Sequence, residues 1–288
     1  MTAERVCGIG DEAAPGLADQ LRVHRDLGLS GIELRTIDGR GLHELSDGQA
    51  HAVAEAVIGA GLAVPVVDTP IGGWATTVAS DFAAERALLR RAAGRAALLG
   101  CHRLRVMSYP NDGRPEPDWR AEALRRMRTL TGLAADLGVT LLHENCQGWA
   151  GRGASATREL LEEVASPHLR LVFDVGNGLA YGYDAAPFLR EVLPFVDHVH
   201  VKDGVRAADG TVLFGLPGDG EAGLAECLRL LDAADYRGWY SLEPHVAHVA
   251  HLNVSDCPER LEAGYRACVI RFLGLLANAR AEAEVGGA

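Results

Sequence analysis

The sequence predicts an α/β fold, a single (β/α)8 TIM barrel over residues 1–288, and three observations carry that reading. Short β-like runs alternate with amphipathic helical runs from one end of the chain to the other. Eight strand candidates can be counted along it. Several of the intervening helices stop at a glycine and are followed at once by a new strand, the short connection of a βαβ unit.

The expected strands are Val6–Gly10, Gly31–Leu34, Ala63–Val67, Arg103–Met107, Val139–His143, Arg170–Asp174, His198–Val201 and Trp239–Glu243. In the seventh, Val199 and Val201 are β-branched, as is Val196 just before it, which suits a strand. The stretches 81–99 and 119–137 read as helices. The first places Phe82, Leu88, Leu89, Ala92, Ala93 and Ala96 near a 3.6-residue period. Helices are expected to stop at Gly28, Gly100 and Gly138, because glycine accepts the left-handed conformation that ends a helix. The rival is an open doubly wound sheet. That fold would carry a GxGxxG turn with an acidic residue about 20 positions later, and CGIGDEAAPG (7–16) lacks it.

Composition narrows the function. Hydrophobic residues are 48% and charged residues 23%, an ordinary globular mixture. A net charge of −11 repels phosphate backbones, so nucleic acid is not the expected partner. The six cysteines are scattered without a CxxC pair, which argues against a cysteine zinc site. MTAERVCGIG has no signal pattern, and no run of 18 apolar residues occurs. The expectation is a soluble cytoplasmic protein with reduced thiols and no membrane association. Barrels of this type often pair, so a homo-oligomer is compatible with the sequence.

In such a barrel the chemistry sits at the C-terminal ends of the strands. Strand five ends in His143-Glu144-Asn145, strand six in Asp174-Val175-Gly176-Asn177, strand seven in His198-Val199-His200-Val201-Lys202-Asp203 and strand eight in Glu243-Pro244-His245. Four successive strands therefore present Glu144, Asp174, His200 and Glu243 at one level. Three carboxylates repel one another in a dry cavity, and a divalent cation removes that repulsion. Oxygen ligands with one imidazole suit Mn²⁺ first, with Mg²⁺, Co²⁺ and Zn²⁺ as alternatives.

GIEL (31–34), HEN (143–145), FDVGN (173–177), HVHVKD (198–203) and SLEPH (241–245) make the chain resemble the sugar-phosphate isomerase/epimerase, or xylose-isomerase-like, TIM-barrel superfamily. The resemblance covers nearly the whole chain in the right order. It implies that Glu144, Asp174, His200 and Glu243 bind one divalent metal. His200 is preferred to His198 because the family motif places the ligand just before V-K-D. His198 shares its strand face one layer deeper. The resemblance also implies a carbohydrate substrate, a ketose or an inosose. Its proton next to a carbonyl would be taken by Glu144 or Glu243 and returned by the other. Family members include ketose 3-epimerases, inosose isomerases and dehydratases, hydroxypyruvate isomerases and endonuclease IV.

Lys202 follows His200 by two and is read as a catalytic residue that protonates or holds a substrate oxygen. The alternative is a surface lysine beside Asp203. An acid placed at a β-hydroxyl would turn enolisation into water loss, so an inosose-type dehydratase is the second reading. Six further residues are expected near the substrate. Glu33 would touch substrate or a group behind the ligands, and Trp74 would stack on a sugar face. Tyr109 and Asn145 would bond hydroxyls. Asn177 stands where family epimerases often carry histidine. Arg206 would hold an oxygen or carboxylate. LPGDGEAGL (216–224) could cradle phosphate at a helix N-terminus or simply turn into the helix. His245, His248 and His251 form an HxxHxxH run, read as a solvated loop in preference to zinc ligands. A nuclease would need more histidines than strands three and four supply at their ends.

Overall fold

Val6–Gly8 runs parallel to Trp239–Leu242, and the sheet continues through Val196–Val201, Leu169–Asp174, Thr140–Gly148 and Arg103–Ser108 to Val67–Asp68. In chain order these are barrel strands one, eight, seven, six, five, four and three, each parallel to its neighbours. The second stave, residues 31–34, makes only isolated parallel bridges, from Glu33 to Ile9, Gly31 to Ala63 and Leu34 to Val67. Those bridges close the ring: the Glu33 N–H donates to Gly8 O at 2.9 Å, and the Ile32 N–H to Ala63 O at 2.8 Å. The expected (β/α)8 barrel is therefore present. The structure is a computed structural model that describes residues 5–249, 254–255 and 257–286.

A helix follows each strand. In order they are Leu17–Asp26, Asp47–Gly59, Phe82–Leu98, Glu116–Asp136, Ala154–Val164, Ala185–Val192, Leu224–Ala233 and Pro258–Gly286, with a short extra helix, Asn177–Tyr181, directly after strand six. Local chemistry sets their starts. Ser46 and Gln49 form a reciprocal capping box ahead of the second helix, and the Asp81 carboxylate accepts the Ala83 N–H at 2.8 Å ahead of the third. Gly28, Gly100 and Gly138 stand at φ of 67°, 67° and 69°, which ends their helices as the sequence indicates.

Period-two alternation divides the strands between two cores. Leu141, Leu171, Phe173 and Val199 face outward and pack with Leu89, Met127, Leu160 and Leu189 of the helices. Burying such side chains contributes about 1.5–3 kcal/mol each. Val66, Leu142 and Val172 form a small apolar layer of their own inside the barrel. Two residues further along strands five and six, on the same inner face, come Glu144 and Asp174. The alternation that fills the barrel therefore also delivers carboxylates to its mouth.

No disulfide joins the six cysteines. Among the described residues no helix is long and apolar enough to cross a membrane.

Candidate metal centre and active site

Strand register brings the acidic residues together. Asp174 and His200 are direct partners between strands six and seven, and Ser241 on strand eight is level with His200, so Glu243 emerges just above it. Glu144, Asp174, His200 and Glu243 are all buried, and each offers a ligand atom within 4.8 Å of the others. His200 Nδ1 lies 3.5 Å from Glu243 Oε2, 3.8 Å from Asp174 Oδ2 and 3.9 Å from Glu144 Oε1. It is buried and has no hydrogen-bond partner among the described residues. An unpartnered imidazole nitrogen facing three carboxylates is a donor set that fits a metal ion. These four residues could hold one.

Cations surround the cluster. Lys202 Nζ is 2.8 Å from Glu243 Oε2 and 3.0 Å from Asp174 Oδ2. Arg35 Nη1 donates to Glu243 Oε1 at 2.7 Å, while its other nitrogens reach Asp11 and Glu12. Arg105 bridges Asp68 at 2.9 Å and Glu144 at 3.3 Å. Asn177 Nδ2 donates to Glu144 Oε1 at 3.0 Å. Burial pushes Asp174 up to about 6 even with Lys202 opposing it. Burial acts the same way on Glu243, but Lys202, His245 and His200 hold it well below the usual carboxylate range. Burial also raises Asp68 to about 7, against the pull of Arg105.

A cavity of about 970 Å³ opens above the cluster. Arg35, Asp68, Arg105, Glu144, Asn177, Lys202, Glu243 and His245 form its polar floor, and Trp74, Met107, Leu213, Phe214 and Val246 its apolar side. Leu213 and Phe214 come from an antiparallel hairpin, Asp203–Arg206 with Val212–Gly215, that follows strand seven. Residues 21–266 match the family model described as xylose isomerase-like TIM barrel.

The chain belongs to this family. Among xylose isomerase-like TIM barrels it is 30% identical over 225 residues to a 2-epi-5-epi-valiolone 7-phosphate 2-epimerase of an Actinoplanes species, which spans 76% of this chain and 78% of that relative. It is 29% identical over 143 residues to inosose dehydratase 1 of Bacillus cereus, spanning 44% of this chain and 47% of that one. The chain thus aligns with under half the length of that dehydratase. A solved structure of an L-ribulose 3-epimerase superposes with a TM-score of 0.75 at 18% identity, over 99% of this chain and 98% of the other. At that identity the likeness carries the fold alone.

The structure gathers some of the residues singled out in the sequence and not others. Lys202 is buried at the cavity floor rather than on the surface, and Asn177 and Trp74 line the cavity. Glu33 takes the second of its two expected places, behind the ligands, and three other expected substrate contacts lie elsewhere. Glu33 is fully buried behind His200, where it bonds His198 and His200. Tyr109 has a positive φ of 64°, which turns its ring inside, and its hydroxyl donates to Glu85 Oε2 at 2.7 Å. Asn145 turns to the neighbouring strand, donating to Asp174 O at 2.9 Å and accepting the Asp174 N–H at 2.6 Å. Arg206 donates to the carbonyls of Gly178 and Leu179 at the extra helix.

Of the two readings of 216–224, the turn into the helix is the one the structure fits. Backbone N–H groups of Gly218, Gly220 and Ala222 donate to the Asp203 carboxylate at 2.8, 3.2 and 3.0 Å. The loop already encloses an anion, and it belongs to the chain. Of the HxxHxxH run, His251 and the side chain of His248 lie outside the described residues. His245 is buried, with Nδ1 3.0 Å from Glu12 Oε1, so it is not solvated. Arg35, Arg105, Asp68 and Glu12 escaped the sequence reading. The signal was there in part: Arg35 directly follows GIEL, and Asp68 ends strand three.

Proposed function

We propose that this chain is an isomerase or epimerase acting on a ketose, inosose or related carbohydrate. It would remove a proton next to a carbonyl, at one divalent cation held by Glu144, Asp174, His200 and Glu243. The observation that carries this reading is the convergence of those four buried side chains beneath the cavity, with Nδ1 of His200 turned toward all three carboxylates. A bound cation supplies Lewis-acid stabilisation of the negative charge that develops on substrate oxygen, and Mn²⁺ is the favoured ion.

The chain's own groups handle the proton. Glu144 from strand five and Glu243 from strand eight both line the cavity. One takes the proton from carbon, and the C–H electron pair moves into the new carbon–carbon double bond as the carbonyl becomes an enolate. The other returns a proton that it has taken up from Lys202 or solvent, and the first releases its own to solvent. Delivery to the opposite face of the same carbon gives an epimer. Delivery to the former carbonyl carbon, with the neighbouring hydroxyl passing its proton to the former carbonyl oxygen, gives an isomer. Asn177 and Arg105 hold Glu144, and Arg35 and Lys202 hold Glu243, so neither carboxylate has to search for its rotamer during the reaction. The apolar lining of the cavity suits the C–H face of a sugar ring, on which Trp74 would stack.

The second reading is an inosose-type dehydratase. It is favoured by the buried Lys202 ammonium beside Glu243, which would act as the acid on a β-hydroxyl. There the enolate electrons return to form a carbonyl conjugated with a new double bond, and hydroxide leaves as water with the Lys202 proton. The relatives named above include both an epimerase and a dehydratase. NMR identification of the products from a panel of ketoses and inososes tests the assignment. A new epimer or isomer supports the first reading, water loss moves it to the second, and unchanged panels overturn both.

A further inference from the structure

The barrel interior holds a carboxylate and an imidazole, Glu33 and His198, that the reaction above does not use, set against the candidate ligand His200. Glu33, His198 and His200 are 0%, 1% and 1% exposed. Burying such groups is costly, and an apolar trio of similar volume would often be no less stable. Their arrangement accounts for their presence. Glu33 belongs to the bridging second stave and reaches across the barrel to strand seven. His198 and His200 sit two residues apart on one strand face, with ring centroids 5.4 Å apart and planes at 84°. Each offers Nε2 to a different oxygen of one carboxylate: His198 at 2.8 Å to Oε2, and His200 at 3.0 Å to Oε1.

A carboxylate oxygen only accepts, so Nε2 of His200 carries the hydrogen. A neutral ring then keeps its lone pair on Nδ1, the atom turned toward Glu243, Asp174 and Glu144. We infer that Glu33 is a positioning residue: it fixes which nitrogen of His200 is presented to the cation, and His198 locks Glu33 by taking its second oxygen. The role rests on the metal-centre reading above. Outer partners of this kind set both the orientation and the basicity of a ligating imidazole.

Two readouts test the role on the full-length chain: calorimetric titration with Mn²⁺, and NMR of the hydrogen on Nε2 of His200. The second needs no metal, and its resonance is assigned by its loss in His200→Asn. In Glu33→Ala the Mn²⁺ dissociation constant is expected to rise about 10- to 100-fold. The downfield, slowly exchanging Nε2 proton is expected to disappear. Glu33→Gln keeps the volume and one acceptor, so it should fall between wild type and Glu33→Ala and covers the case in which Glu33→Ala folds poorly. An unchanged dissociation constant in folded Glu33 variants overturns the role while leaving the metal centre standing. A wild type that takes up no Mn²⁺ overturns the metal centre itself, and the role with it.

Discussion

The ammonium of Lys202 stands 2.8 Å from Oε2 of Glu243, in a buried site and on the floor of the cavity. If Lys202 delivers the proton that releases a β-hydroxyl, Lys202→Met should separate two steps on an inosose. Water loss should fall by about 10²- to 10⁴-fold, the usual span for a positioned acid, while solvent exchange at carbon stays within roughly tenfold. NMR of the reaction in D₂O reads both at once. Equal losses would make Lys202 a holder of charge and not an acid.

Arg35 compensates three acidic groups together, Asp11, Glu12 and Glu243, and its side chain is only 9% exposed. Burial would raise Glu12, yet His245 and Arg35 bring it down to about 2. Removing the guanidinium takes away the cation these three carboxylates share in a low-dielectric site, leaving Glu12 with His245, Glu243 with Lys202 and Asp11 with the Thr36 hydroxyl. Arg35→Ala should cost about 3–5 kcal/mol in urea unfolding, the cost of breaking a buried pair from one side. Arg35→Lys should recover only part, because an ammonium cannot fork to three partners.

Asp203 holds the loop after the hairpin. A Cβ on Gly220 would come within 2.2 Å of Asp203 Oδ1, so glycine is needed there for close approach. Asp203→Ala leaves the loop N–H groups without an acceptor and should cost about 1–3 kcal/mol. Titrating wild type with inorganic phosphate should leave the Gly218 and Gly220 amide resonances in place. A phosphate-dependent shift there would restore the anion-binding reading.

Two buried histidines set an acid limit. Burial lowers His143 from the usual 6.5 to about 3, and neither of its ring nitrogens has a hydrogen-bond partner. Burial lowers His24 to about 4, although Gln20 O and Gly8 O oppose it. The unfolded chain therefore takes up these protons first as pH falls below 6.5. Their contribution to stability is fully present above that pH and declines as pH drops through 4 for His24 and through 3 for His143, while Asp68 and Asp174, raised by burial, contribute with the opposite sign. The total losses are of the order of 3 kcal/mol for His24 and 5 kcal/mol for His143. His143→Leu should flatten the dependence of melting temperature on pH below 6.5 and should not lower stability at pH 7. A steeper dependence would contradict the assignment.

Much of the candidate metal cluster was legible because strand periodicity is simple. Once Leu142 and Val172 are assigned to the barrel interior, Glu144 and Asp174 must follow on the same face. His198 and His200 share that relation. The partners were not legible, because they depend on which stave faces which across the ring. Glu33 could be placed at a strand end, yet its bond to His200 links residues 167 positions apart. Tyr109 and Asn145 follow strand four and lie in strand five, where a register shift between Val106 and Ser108 breaks the alternation. Asp203 looked like a charged strand end, since nothing local indicates that the loop at 216–224 folds back over it.

On the proposed function, Glu144, Asp174, His200 and Glu243 hold a divalent cation at which carbon is deprotonated. Deuterium uptake from D₂O at the carbon next to a carbonyl tests it most directly. The measurement uses Mn²⁺-loaded protein, the same protein after chelation, and Glu144→Gln, each with an inosose and with a ketose. Uptake is expected to need the metal and to fall at least about 100-fold in Glu144→Gln. Uptake at the wild-type rate after chelation, or in Glu144→Gln, would contradict it.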